Sequence, residues 1–452
     1  MRRRSFGALG DAALGSALFA LALVVFLRAT ATTPFHGDES EWISAGRYFK
    51  FVAIDHDVTS GVWRPSWVNR DQPPIGRYVI GGVVWASGGD VGNLNKTYAW
   101  DKDLEANRRE GRVPGPELLQ PVRNAMALFG ALSVLGLYVA GRLLDGPLAG
   151  AVAALLVTSS PLVQTYFSQA RTEGLLAALT SAALVAVIAV ARRFERDGLV
   201  PRAAWATGLL LGLALATKLT AALAIIATGA YGLAAMLRLI ATRRDEAVRI
   251  GAWTAATLAF AALVWVAVNP FLWPDPIGRT WSMLDQQSSI MVEQGEKFGG
   301  AIDDGIGGRV LLVAYRTFVE NEIAAFDANL PPGSPPLVRP SMLGLTGAGV
   351  SVELLLALAG CVLVVGRAAS GWIASERPGS AMALLCWVLA YWLGIAANLS
   401  LDWPRYYVPT ACIGSLLVGL AVSAAVRFAL ALRVRAVPAG AIARGTRAGA
   451  AH

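Results

Sequence analysis

Residues 34–42 read Pro-Phe-His-Gly-Asp-Glu-Ser-Glu-Trp. Three carboxylates, Asp38, Glu39 and Glu41, and the imidazole of His36 fall within six residues, just past the first long apolar run. Charge at the edge of a bilayer is costly, so such a cluster points to function before packing. A carboxylate placed there can take a proton from a hydroxyl group. Asp38 and Glu39 are therefore read as heading a membrane-embedded active site. Further charged residues recur beside later apolar runs: Arg77, Arg123, Arg171, Glu173, Lys218 and Arg405. Cations gathered near a carboxylate can hold an anionic leaving group such as a lipid phosphate. The scaffold must bring these residues to one face of the membrane.

Each residue also has a plainer reading. Lys and Arg at helix ends snorkel to the interface, which would make Arg77, Arg123, Arg171 or Lys218 structural. Glu173 lies two residues after Arg171 and could simply pair with it. Asp38 and Glu39 suit the first turn of a helix, although a cap needs one acid and not a cluster. His36 and His56, the latter between Asp55 and Asp57, are metal-ligand types without His-x3-His spacing. The sequence thus permits a divalent metal without indicating one, and no cofactor is required.

The composition defines the scaffold. Of 452 residues, 55% are apolar and 15% charged, and the mean hydropathy is +0.52. Several runs reach the roughly 20 apolar residues that cross a bilayer, so the fold class is an all-α polytopic membrane protein. The net charge of +8 sits in arginine clusters beside helix ends, among them Arg2–Arg4, Arg192–Arg193 and Arg243–Arg244. That is the positive-inside pattern, and no basic soluble domain is left to bind nucleic acid. Cys361, Cys386 and Cys412 lie in apolar runs and read as small buried hydrophobes.

Ten spans are expected, near 12–27, 122–140, 148–165, 174–190, 203–217, 219–237, 253–268, 343–365, 381–399 and 406–426. The chain reads as a single integral-membrane domain over 1–452. It has a first outer loop at 31–121, a second at 270–341 and a basic cytoplasmic tail at 427–452. Within the first loop, 74–87 is apolar but too short to span, which predicts an interfacial or re-entrant helix opened by Pro73-Pro74. The charged stretch 90–120 is expected to face water, and the prolines of 330–336 to forbid regular structure. Gly208 and Gly212 are spaced for close helix approach. An even span count puts both termini in the cytoplasm and the charged set on the outer face of the plasma (inner) membrane.

In this order the motifs resemble those of GT-C fold glycosyltransferases that use polyprenyl-phosphate sugars, near the protein O-mannosyltransferases and the bacterial aminoarabinose (lipid A) transferases. The motifs are His36-Gly-Asp38-Glu39; Asp71-Gln72-Pro73-Pro74-Ile75-Gly76-Arg77; Arg123 to Gly130; Ala170-Arg171-Thr172-Glu173; Thr217-Lys218; and Pro404-Arg405-Tyr406-Tyr407. The resemblance implies a bundle of about ten helices with juxtamembrane helices in the first outer loop. It implies Asp38 as the base that deprotonates the acceptor and Glu39 as the residue orienting the acceptor or that base. Arg77, Arg123, Arg171, Lys218 and Arg405 become candidates for the donor phosphate, with Gln72, Glu173 and Tyr406 also at the substrate. The implied activity is inverting transfer of a mannose-like or other hexose or pentose. The donor is a polyprenyl-phosphate sugar, and the acceptor a hydroxyl of a protein, glycan or lipid. Gln72, Arg77 and Glu173 depart from the mannosyltransferases' His, Lys and Asp. A transporter or flippase of an anionic lipid or solute is the alternative; it would favour related halves and broken mid-membrane helices, and no internal repeat is visible.

Overall fold

A computed structural model describes residues 2–200, 204–298, 302, 304–323, 337–347, 350–374 and 377–436. Long apolar runs become long helices, because an unpaired backbone polar group cannot be left in lipid. The first, α1 (Arg2–Thr32), is followed by the short helices α2 (Gly37–Ala45), α3 (Trp67–Asp71), α4 (Pro74–Ala86) and α5 (Leu104–Arg109). Then come α6 (Pro116–Asp145), α7 (Pro147–Ser159), α8 (Pro161–Phe167), α9 (Glu173–Asp197), α10 (Ala204–Leu215), α11 (Ala222–Leu239) and α12 (Arg244–Ala267). The last part holds α13 (Pro276–Phe298), α14 (Ile306–Phe318), α15 (Val352–Ala374), α16 (Ser380–Asn398) and α17 (Val408–Ala436). Two small antiparallel hairpins interrupt it, β1 (Glu320–Ile323) with β2 (Leu337–Pro340) and β3 (Thr346–Gly347) with β4 (Val350–Ser351).

Among the described residues, eight helices are long and apolar enough to cross a bilayer. The two other expected spans differ from that form. Run 148–165 is broken into α7 and α8, which meet at 69°, because Pro161 opens a new helix. Run 203–217 is the short α10, which ends before Lys218. The Gly208/Gly212 spacing does what small residues do between helices. A Cβ at Gly208 would stand 2.6 Å from the Thr257 carbonyl oxygen, and one at Gly212 2.7 Å from that of Ala261, so α10 lies directly on α12.

Pro74–Ala86 is helical as expected, with proline at its start and buried Ile80 and Val84 on one face. The second outer loop differs from expectation, since it carries α13 and α14. Residues 330–336 lie outside the described residues. The span expected at 343–365 begins only at Val352, after the β3–β4 hairpin. The stretch 90–120 is not a free surface loop either. The Ser40 hydroxyl donates to the Arg112 carbonyl at 2.5 Å, Asn95 donates to Ser40, and Asn107 is fully buried. The stretch therefore folds back over α2.

Ion pairs collect at both ends of the bundle. At one end Lys218 meets Glu173 and Arg405 meets Asp38. At the other, Arg142 pairs with Asp11, Arg367 and Arg427 with Asp145, and Arg377 with Glu246.

Candidate active site

The chain leaves α1 and turns into α2 at His36. The His36 Nδ1 accepts the Asp38 backbone N–H at 3.0 Å, while the Glu39 carboxylate accepts the His36 N–H at 3.0 Å. This reciprocal capping satisfies donors that the helix start leaves open. Glu39 is wholly buried and also accepts from Arg123 Nε at 2.8 Å, Arg123 Nη2 at 2.7 Å and the Ala170 N–H at 2.6 Å. Arg123 completes the knot by donating to the carbonyls of Thr30, Thr33 and Pro34. One ion pair thus ties together the end of α1, the start of α2, α6 and the segment before α9.

Asp38 projects from this fixed point. Its Oδ2 meets Arg171 Nη2 and Arg405 Nη1, each at 2.8 Å. Burial would raise its pKa, but Arg171, His36, Arg405 and Lys218 outweigh that and hold the carboxyl well below the ordinary range. Glu173 opens α9 and accepts from Lys218 Nζ at 2.9 Å, with Arg171 at 3.7 Å. Its Oε2 is buried without a partner among the described residues, as is Oε1 of Gln72. Lys218 reaches this point because the chain is extended between α10 and the turn that opens α11.

Two cavities meet here. A polar one of about 270 Å³ is lined by Asp38, Gln72, Arg171, Glu173, Lys218, Arg405 and Tyr406. An apolar one of about 320 Å³ runs between α9, α11, α16 and α17, past Leu176, Ile226, Trp387 and Tyr391. Glu173, Lys218, Gln287, Arg405 and Tyr406 line both, so the cations stand at the junction.

Three expected site residues do not line either cavity. Arg77 is fully buried, stacked 4.2 Å over the Tyr48 ring and bonded through Nη1 to Asn69 Oδ1 at 3.0 Å. Glu39 and Arg123 spend their polar atoms on each other and on backbone. These three hold the scaffold together. Conversely, the polar cavity includes residues given no role from sequence: Asp71, Gln287, Trp67, Trp100 and Trp403. Asp71 lies inside a motif already singled out, and the tryptophans were a signal available from composition alone. Asp71 accepts from Gln287 Nε2 at 2.6 Å, and burial raises its pKa to about 6 despite that bond. Glu41 accepts from Trp100 Nε1 at 2.7 Å, and burial together with Asp38 pushes it up to about 8. Among the described residues no three His, Cys, Asp or Glu side chains gather as a metal site.

Residues 116–269 match the family model of dolichyl-phosphate-mannose-protein mannosyltransferases. That stretch carries Arg123, Arg171, Glu173 and Lys218, and excludes Asp38 and Arg405. An oligosaccharyltransferase of Archaeoglobus fulgidus, tethered with an acceptor peptide, superposes with a TM-score of 0.54 at 14% identity. A second structure of the Archaeoglobus fulgidus archaeal oligosaccharyltransferase AglB, with an inhibitory peptide and a dolichol-phosphate, gives 0.52 at 14%. Each alignment covers 94% of this chain, and 51% and 52% of the respective structures. The fold is that of the GT-C glycosyltransferases. The chain spans about half the length of the solved structures it matches. ArnT from Cupriavidus metallidurans gives a TM-score of 0.47 at 18% identity over 90% of this chain and 59% of that one. No curated protein sequence matches.

Proposed function

We propose that this protein is an inverting membrane glycosyltransferase that moves a sugar from a polyprenyl phosphate to an acceptor hydroxyl. The observation that carries the reading is the cation junction between an apolar and a polar cavity. A lipid-linked sugar has those three parts in that order: a hydrocarbon tail, a phosphate and a polyhydroxylated ring. The tail fits between α9, α11 and α16, the phosphate meets Lys218 and Arg405, and the sugar enters the polar cavity near Asp38. The family match over 116–269 and the dolichol-phosphate bound by a structural relative support the donor class.

The chemistry follows from the charges. Lys218 and Arg405 are held by Glu173 and Asp38. An arriving phosphate competes for both cations, and each contact it takes from Arg405 leaves Asp38 a stronger base. The acceptor hydroxyl binds at the Asp38 carboxylate, which takes its proton as the new C–O bond forms. The anomeric carbon–phosphate oxygen bond breaks on the opposite face, and polyprenyl phosphate leaves with its new negative charge on the cations. Displacement without an enzyme nucleophile inverts the anomeric centre.

The test uses the full chain in detergent with a polyprenyl-phosphate-linked radiolabelled sugar, where no gradient or second compartment can drive transport. Wild type is expected to transfer label, and Asp38→Asn to lose at least about a hundredfold in turnover, the scale of one positioned base. Near-wild-type turnover by a correctly folded Asp38→Asn protein would remove Asp38 from the chemistry. Label movement seen only across a sealed membrane would favour the transporter alternative.

A further inference from the structure

The polar cavity is larger than the phosphate and the reacting carbon require, and its outer wall has a composition of its own. Residues that line both cavities mark the phosphate seat: Glu173, Lys218, Arg405 and Tyr406. Other residues line the polar cavity and not the apolar one. Among them are Trp67, Trp100, Trp42, Asp71 and Glu41. Three indole side chains beside two carboxyls are an unusual wall for a site that handles an anion. We propose that this wall is the acceptor subsite and that it takes a saccharide, so that the acceptor hydroxyl belongs to a sugar rather than to a peptide side chain. This deepens the donor reading given above and rests on it for the position of the phosphate.

The chemistry of a pyranose matches the wall on both counts. One face of the ring is a patch of C–H groups, which a flat indole covers without leaving a polar group unpaired. The rim is a ring of hydroxyls, each both donor and acceptor, and carboxyl or amide side chains pair with those. Trp67 is 42% exposed although it borders a cavity, so it presents ring surface with no protein against it. Trp100 is held in place by its Nε1 bond to Glu41 at 2.7 Å and by the edge contact of Tyr98, with ring centroids 5.0 Å apart. Gly37 makes room for it, since a Cβ there would stand 2.7 Å from the Trp100 ring. Asp71 is oriented by Gln287 of α13, and Gln294 of the same helix also lines the cavity. Two aromatic faces and aimed polar groups are thus already fixed before any ligand arrives, which lowers the ordering cost of binding.

A peptide bound as an added strand would need something else, a free sheet edge. Neither described hairpin contributes a residue to this cavity. The wall offers side-chain hydrogen bonds and ring faces.

The test reads binding directly and needs no donor. Full-length protein in detergent is mixed with disaccharides of glucose, galactose, mannose and arabinose, and saturation-transfer NMR records which ring protons contact the protein. In a parallel sample a serine- and threonine-rich peptide replaces the sugars. Saturation of C–H protons in at least one disaccharide is expected, with affinity falling at least tenfold in Trp67→Ala and in Trp100→Ala. Trp67→Phe, which keeps a flat face, is expected to retain binding within about threefold, which separates loss of contact from loss of fold. Mannose 1-phosphate, which addresses the cations, is expected to leave the disaccharide signal in place. No disaccharide signal, a signal confined to the peptide, or full displacement by mannose 1-phosphate each overturns the proposal. Failure of the donor reading gives a different result: Lys218→Ala would then leave mannose 1-phosphate binding unchanged, whatever the disaccharides do.

Discussion

At the scale of single residues, the carboxyls around the polar cavity differ by environment and not by type. Asp38 stands among cations and is kept ionised, whereas Glu41 is buried beside the charge of Asp38 and is raised to about 8. A carboxyl whose folded pKa exceeds its unfolded value binds more protons folded than unfolded in the window between the two. Its contribution is complete below about pH 4.5 and is lost as pH rises toward about 8, with a slope that approaches about 1.4 kcal/mol per pH unit at most. Asp71, raised to about 6, acts in the same direction but only in the lower part of that window. Between about pH 6 and about pH 8 the slope therefore belongs to Glu41 among these two. Glu41→Gln keeps an acceptor oxygen for Trp100 and cannot ionise. Thermal unfolding in detergent is expected to show the wild-type Tm falling across that interval and the variant Tm nearly flat, with the variant the more stable at the upper end. Parallel curves would show that Glu41 ionises near its ordinary value. Asp38 has the opposite sign: its contribution is present above the unfolded carboxylate pKa and is lost as pH falls through its lowered folded value.

At the scale of elements, the Glu39–Arg123 pair decides how the start of α2 is held. Both side chains are almost fully buried, and Arg123 also saturates three carbonyls at the end of α1. Removing one partner leaves a buried charge unpaired, which costs about 3–5 kcal/mol. Arg123→Ala is expected to lower stability by that amount and to weaken activity through disorder of Asp38, while Glu39→Ala does the same. The double variant should recover part of the loss, since no lone charge remains. A single variant with wild-type Tm would mean the pair is not the fastening. The sequence marks Glu39 for orienting the acceptor or the base and Arg123 for the donor phosphate, but a charge beside an apolar run does not reveal which way it faces, and here the two face each other. Arg77, likewise a candidate for the donor phosphate, stacks on Tyr48, a contact that spacing does not show. The long spans were legible because length and apolarity suffice to define them. The amphipathic α13 was not, for its polar residues read as loop, yet it supplies Gln287 to the cavity. Asp38, Arg171, Glu173, Lys218 and Arg405, each singled out as a charge beside an apolar run, come together along one cavity.

At the scale of the whole molecule, the two ends of the bundle differ in what their charges are for. At the site end the charges line a cavity, and most remaining basic residues there fall in the long segment between α1 and α6. Segments beyond about 60 residues hardly influence orientation, so that charge does not vote. At the opposite end the arginines stand in the last two to three turns of membrane helices or in short connections: Arg142, Arg192, Arg196, Arg243, Arg367 and Arg427. Those do vote, and on the positive-inside rule we propose that this end is cytoplasmic and that the site faces outward. Two exposed positions distinguish the faces, Lys102 in the segment over α2 and Arg196 near the end of α9. With Cys361, Cys386 and Cys412 within helices assigned to the membrane, a membrane-impermeant maleimide on intact cells is expected to label Lys102→Cys. Arg196→Cys should be labelled only after lysis. The reverse pattern would put Asp38 on the cytoplasmic side, where the donor would have to present its sugar inward, and would overturn the outer-face assignment while leaving the cation junction untouched.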